Sequence, residues 1–256
     1  MKDNLKISII TVAFNSAKTI RDTISSIIKQ DYKNVEYIVI DGNSTDETNH
    51  IVSEFKENVN VHISENDKGI YDAMNKGIKL ATGDVIGILN SDDFYPNSYI
   101  LSNVIKTFNM NKCEAVYGDL VYVNAQNTSK IKRYWQSGPY TTKKLKNGWM
   151  LPHPTFFVKS SIYKKFGLYN TSLHMAADYD MIIRLLYKFN ISAKYIPMIL
   201  VKMRVGGASN ASIIDRLRAN KEDGLAWTKN QLNKPYFIRI KKPLQKIKQF
   251  FQKPEI

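Results

Sequence analysis

Two hydrophobic periods alternate through the first half of the chain, and this alternation limits its folding more than any other feature. Four short runs rich in Ile and Val, Lys6–Ala13, Glu36–Asp41, Val59–Ser64 and Asp84–Leu89, have the length and β-branching of buried strands. Between them apolar residues recur at helical spacing: Ile20, Ile24, Ile27 and Ile28, then Ile51, Val52 and Phe55, then the stretch 70–81. Leu101, Val104, Ile105 and Phe108 repeat the pattern after the fourth strand. Strand and helix in alternation predict an α/β fold with a mostly parallel sheet flanked by helices. Ser44-Thr45-Asp46-Glu47 has the form of a capping box opening the second helix, and Gly83 is placed to close the third.

The second half is less regular. Ala115–Asn124 and Lys130–Gln136 read as two strands able to pair, Ser160–Phe166 and Ala177–Lys188 as helices, Ser192–Val201 as a last strand, and 204–210 (RVGGASN) as a loop. The single cysteine, Cys113, excludes an internal disulfide and fits a reducing compartment. The N-terminal residues turn polar too soon for a secretory signal, and no apolar run reaches the ~18 residues of a spanning helix. A formal charge of +14 calls for an anionic partner. Eight basic residues lie between Lys229 and the C-terminus against one acid, Glu255, so half of the excess is terminal. There Ile240, Leu244, Ile247 and Phe251 form an apolar stripe among lysines, the pattern of a basic amphipathic helix suited to an anionic membrane surface.

Acidic and polar residues collect where strands end. The first strand leads to Thr11, Ala13 and Asn15, the second to Asp41, and the fourth to Asn90-Ser91-Asp92-Asp93. In an open α/β sheet such ends share one rim, where ligands bind. Locally, Asp93 or Asn97 would serve to cap the next helix. Convergence of three strand ends instead favours one shared site. Two adjacent carboxylates repel unless a cation or strong donors compensate. Few protein ligands beside phosphates suit Mg²⁺ or Mn²⁺. Four histidines without metal-ligand spacing, and no second cysteine, disfavour zinc. Neither a P-loop nor a G-x-G-x-x-G turn occurs.

The motif order ISIITVAFN, VIDGNSTDET, ENDKGIYDAMNKGIKLATGDVIGILNSDD and AADYDMIIRLL resembles the family-2 inverting glycosyltransferases of GT-A fold found in bacterial surface-polysaccharide synthesis. That resemblance covers about 5–210. It implies one catalytic domain over 1–215, with a nucleotide-binding half (1–112) and an acceptor half (113–215), followed by a helical basic tail (216–256). It assigns Thr11, Ala13, Asn15 and Asp41 to the nucleotide, Asp67 and Gly69 to the segment closing over it, and Asn75 to a phosphate or sugar hydroxyl. Gly42 stands where many relatives carry a second acid, and Met74 where many carry a diphosphate-binding arginine, leaving Lys68 or Lys76 to supply that charge. Asn90, Asp92 and Asp93 match the metal motif, with Asp93 the more direct ligand of Mn²⁺ or Mg²⁺ and Asp92 on ribose or metal. Asp178, more than Asp180, matches the general base. Trp149 and His153 fall where relatives cover the acceptor.

The expected partners are a nucleotide-sugar donor, UDP-linked by preference, a saccharide or polyprenyl-diphosphate-linked acceptor, and an anionic membrane surface. A cytoplasmic protein, peripheral on the inner face of the membrane, fits all three. A nucleotidyltransferase would need a Gly- and Arg-rich loop after the first strand, which TVAFNSAKTI lacks. A nucleic-acid-binding module is the alternative for so basic a chain, but no nucleic-acid motif or basic stripe interrupts the main domain.

Overall fold

The computed structural model describes residues 4–206 and 213–236, together with Ile238, Lys242, Gln245 and Gln249. Strand β1 (Ile7–Ala13) is fully buried and forms the axis of the fold. It pairs in parallel with β2 (Val35–Asp41) over its whole length, from Ile7 beside Val35 to Ala13 beside Asp41. On its other side lies β4 (Val85–Ile88), also parallel. Strand β3 (Val61–Ser64) extends the parallel set beyond β2. The connections are helices α1 (Ile20–Ile28), α2 (Thr48–Glu54) and α3 (Ile70–Leu80), as the sequence periods predict. Ile20, Ile24 and Ile27 bury the inner stripe of α1, and Ala73, Met74 and Ile78 that of α3.

Beyond β4 the sheet becomes mixed. A two-residue strand β5 (Asp93–Phe94) and helix α4 (Ile100–Asn111) precede the long β6 (Ala115–Val123), which pairs antiparallel with β7 (Ile131–Trp135). Helix α5 (Thr142–Lys146) leads to β8 (Phe157–Lys159), which enters antiparallel between β4 and β6. Gly87 on β4 makes this join possible, because a Cβ there would lie 2.5 Å from the Phe157 ring. Helices α6 (Ser160–Phe166) and α7 (Ala177–Ile182) follow, α7 running on as a π-helical turn over Ile183–Lys188. Strand β9 (Ala193–Arg204) then lies parallel to β6 and antiparallel to β5, so the order across the nine strands is β3-β2-β1-β4-β8-β6-β9-β5, with β7 on β6. Helix α8 (Ile213–Lys229) closes the described fold.

Two local expectations are corrected. No capping box forms at 44–47: α2 starts only at Thr48, Ser44 turns back to Asp41, and the Asp46 carboxylate accepts from Thr48. Gly83 does not terminate α3 but donates its N–H to Ser8, close against β1. The apolar stripe expected in the tail, Ile240, Leu244, Ile247 and Phe251, lies outside the described residues. Lys242 is described and buried, bonded to Asp223 at 2.5 Å, and Gln245 donates to the Asn147 carbonyl.

At the end of the sheet opposite the strand tips, Glu36 ties three segments together. Its carboxylate accepts from Lys6, Ser8 and both the N–H and hydroxyl of Thr82. Burial alone would raise this acid, but these four donors hold it down at about 2 against an ordinary 4.5. A lowered native pKa stabilises the fold above the unfolded value and is lost as pH falls through the folded one. The shift corresponds to about 3 kcal/mol. Glu36→Gln is therefore expected to lower the thermal midpoint at neutral pH, with the gap from the parent closing below pH 4.5, followed by circular dichroism.

Candidate active site

The tips of β1, β2 and β4 open onto one cavity of about 750 Å³, within the range of roughly 300–1,000 Å³ usual for small-molecule sites. Val12, Ala13, Phe14 and Asn15 line it from β1, Gly42 and Asp46 from the loop after β2, Asp67, Gly69, Ile70 and Ala73 from the entry to α3, and Asn90, Ser91 and Asp92 from the loop after β4. Asn15 takes the left-handed backbone (φ 48°) that asparagine tolerates. Its N–H donates to Ser44 and its Oδ1 accepts from the Thr45 N–H, so it joins the first two strand tips.

Several residues picked from sequence lie elsewhere. Thr11 is interior and accepts from the Tyr37 hydroxyl. Asp41 is fully buried, and Ser44, Asn49 and Ser64 occupy its carboxylate. Burial would raise its pKa, yet those donors hold it below the ordinary range, which makes it a brace between loops and not part of the cavity wall. Asn75 bonds both backbone groups of Tyr169 at 2.9 Å. Trp149 is buried against Tyr117 and Tyr140, with its indole N–H on the Ser137 carbonyl, so it offers no open face to a sugar. Lys76 is committed to Glu65 and Asp67. The cation on the cavity wall is instead Lys18, exposed at the approach to α1, which sequence reasoning passed over because nothing distinguishes it from other surface lysines. Gly42 has a positive consequence: a Cβ there would sit 3.1 Å from Asp67 Oδ2, so the Asp67 carboxylate uses the space a side chain at 42 would take.

Within the acid pair, Asp92 borders the cavity and Asp93 is fully buried beneath it. The physical reason is strand pairing, because Asp93 opens β5 and is held against Met203 of β9. Burial raises Asp93 well above the usual carboxylate range, and the neighbouring Asp92 adds to this. Asp92 is also raised, chiefly by burial, with relief from Arg204 and His153. Arg204 steadies the turn from behind, donating to the Asp92 carbonyl at 2.8 Å and to Asp22 while its guanidinium lies over the Phe94 ring. Asn90 Oδ1 and Asp93 Oδ1 are buried without a hydrogen-bond partner. No group of three His, Cys, Asp or Glu able to hold a metal alone occurs among the described residues. Two orphaned oxygens beside a cavity-facing carboxylate fit a divalent cation that shares a ligand's phosphates, and not one caged by protein.

Asp178 and His153, distant in sequence, meet at 3.1 Å between Oδ2 and Nδ1. The other Asp178 oxygen accepts from the Tyr179 N–H at 2.8 Å and the Tyr71 hydroxyl at 3.3 Å. Burial would raise Asp178, but His153, the charge of Lys242 and the Tyr179 N–H together hold it below the ordinary range. His153 favours the ionised form of Asp92 as well as that of Asp178, which brings the pair near the Asp92 edge of the cavity. Asp180, the weaker candidate, is buried against Arg184 and Asn230.

A cavity at the carboxyl ends of parallel strands, with Asp46, Asp67 and Asp92 on its wall, stands where open α/β sheets bind their ligands. The sequence profile of Glycosyl transferase family 2 matches residues 8–168, more than half of the chain. The chain belongs to that family. A PGL/p-HBAD biosynthesis glycosyltransferase of Mycobacterium bovis is 26% identical over 213 residues, covering 82% of this chain and 80% of its own. An uncharacterised glycosyltransferase of Rickettsia prowazekii is 29% identical over 254 residues, covering 94% and 78%. Among solved structures, S. aureus TarS in complex with UDP-GlcNAc superposes with a TM-score of 0.70 at 18% identity, over 90% of this chain and 68% of that one. The mannosyltransferase PcManGT of Pyrobaculum calidifontis, in complex with GDP-Man and Mn²⁺, gives 0.66 at 18% identity, over 93% and 69%. The α/β fold expected from the sequence is the one these neighbours share, and the protein is a glycosyltransferase.

Arg204→Met is expected to cost about 2 kcal/mol, the order of a charge-assisted hydrogen bond lost in a buried setting, measured by urea unfolding. Faster amide exchange confined to 90–94 would mark the loosened turn.

Proposed function

We propose that this glycosyltransferase moves a sugar from a nucleoside-diphosphate donor, UDP-linked by preference, to a hydroxyl of a saccharide acceptor carried on a polyprenyl diphosphate, in building a bacterial surface polysaccharide such as O-antigen or capsule. The observation that carries the reading is the cavity at the strand tips with Asp92 on its edge, together with the Asp178–His153 pair, whose imidazole acts electrostatically on Asp92 as well. Its neighbours in fold were solved with UDP-GlcNAc and with GDP-Man, donors of this class. Ala13, Asn15, Asp67 and Gly69 are available to the nucleotide, Phe14 offers an exposed ring on the cavity wall, and Lys18, exposed on the same wall, can offer its charge to a diphosphate.

Asp178 takes the proton of the acceptor hydroxyl as that oxygen attacks the anomeric carbon and the bond to the diphosphate breaks. One displacement inverts the anomeric centre. The His153 and Tyr179 contacts keep Asp178 ionised and aimed, and Tyr71 limits its rotation. A bound Mn²⁺ or Mg²⁺, held by Asp92 with Asn90 and Asp93 nearby, would supply electrostatic stabilisation of the departing diphosphate.

Screening UDP- and GDP-sugars with Mn²⁺ by thermal shift and by nucleoside diphosphate release tests this reading. A donor at a hundredfold excess over its Kd adds about 2.7 kcal/mol to stability. In Asp92→Ala most of that gain should vanish, whereas Asp178→Asn should keep it and lose roughly 10²- to 10⁴-fold in turnover. Full turnover in Asp178→Asn would remove that residue from the base role, and pyrophosphate exchange in place of diphosphate release would make the protein a nucleotidyltransferase.

Membrane attachment belongs to the same proposal. No helix among the described residues is long and apolar enough to cross a membrane. The excess of basic residues after Lys229 makes the tail the candidate contact. Full-length protein should sediment with phosphatidylglycerol vesicles near 0.1 M salt and leave them near 1 M, as the Debye length falls from about 10 to about 3 Å. Equal binding to neutral vesicles would refute the electrostatic contact.

A further inference from the structure

The matched family profile ends at residue 168, so it reaches neither Asp178 nor α8. Yet α8 holds the chain on both sides of Asp178. Ahead of it, the loop 174–176 turns three backbone N–H groups toward Glu222, whose carboxylate accepts from His174 at 3.2 Å, Met175 at 2.7 Å and Ala176 at 3.1 Å. These three amides lead directly into α7, whose N-cap residue, Ala176, makes no side-chain capping bond. Beyond Asp178, the Trp227 indole N–H donates to the Tyr179 hydroxyl at 3.2 Å, and Asn230 donates to Asp180 at 2.7 Å. Ala226 and Trp227 are fully buried in this contact.

The tail strengthens the grip. Lys242 bonds Asp223, the residue after Glu222, and its ammonium lies 3.6 Å from the centre of the Tyr179 ring. Gly148 permits the approach, because a Cβ there would meet the Lys242 backbone at 2.7 Å.

We propose that α8 is a positioning element for Asp178 and that Glu222, by collecting the three amides of 174–176, is the positioning residue that sets where the Asp178 carboxylate stands. The inference rests on reading Asp178 as the base. A carboxylate spanning three amides resists rotation of the loop, and His153 can hold Asp178 from one side only if the backbone carrying it is held from the other. Misplacement of a reacting group by about 1 Å costs on the order of 10²-fold in rate.

The test uses full-length Glu222→Ala and Glu222→Gln, with Asp178→Asn as background. Turnover in Glu222→Ala is expected to fall roughly 10- to 100-fold, the donor KM staying within about twofold and stabilisation by UDP with Mn²⁺ unchanged. Glu222→Gln, which retains one accepting oxygen, should recover part of the rate. Amide exchange at 174–176 should accelerate in both variants, a readout independent of catalysis. Added to Asp178→Asn, Glu222→Ala should bring no further loss. Undiminished turnover in Glu222→Ala, unchanged exchange at 174–176, a full additional loss in the double variant, or loss of UDP stabilisation would each overturn the proposal. Full activity of Asp178→Asn with accelerated exchange in Glu222→Gln would instead retire the base assignment while leaving the Glu222 contact standing.

Discussion

The parallel pairing of β1 with β2 on one side and β4 on the other is the constraint on which the rest depends. Parallel neighbours end at the same level, so whatever follows them in sequence is delivered to one rim. Ala13 beside Asp41 marks that level for two strands, and the Leu89 and Ser91 amides continue onto β1 carbonyls at the third. The cavity wall is then built from the tip of β1, the first turn of α3 and the loops that follow the buried strands. The rim is rigid because its foundations are apolar, and selective because its loops are not.

Burial separates carboxylates that look alike in sequence. Asp41 has four donors and is a brace, Asp93 lacks a partner for one oxygen and is pushed toward its neutral form, and Asp92 keeps one side open. Only the last is placed to meet a ligand directly. Asp93 carries a different burden. A buried acid with an orphaned oxygen is costly in the free protein, and a cation bound nearby would relieve that cost.

The second half shows how distant segments assemble a site. His153 comes from a short 3₁₀ turn before β8, Tyr71 from α3, Asp178 from α7, and the amides that carry it are held by α8. None of these contacts is local, so the Asp178 carboxylate is placed by packing among four segments. Lys242 joins this assembly, bonded to Asp223 of α8 and lying over the Tyr179 ring.

Much of the fold was legible in the sequence, because hydrophobic period reports which faces must be buried. The strands of the first half and the helices between them follow directly from Ile and Val spacing, and the Asp92-Asp93 turn was marked by an apolar strand ending in acids. Which acid faces the cavity was not legible, since β5 pairs with β9 more than a hundred residues away and that pairing turns Asp93 inward. Trp149 likewise read as a sugar platform until Tyr117 and Tyr140 enclosed it. Sequence alone determined the layers, the rim and the chemical types gathered there, because those depend on local periodicity and strand direction. Tertiary structure decided which side chains are open, which are braced and which meet, because burial and partnership belong to contacts between segments that no local pattern encodes.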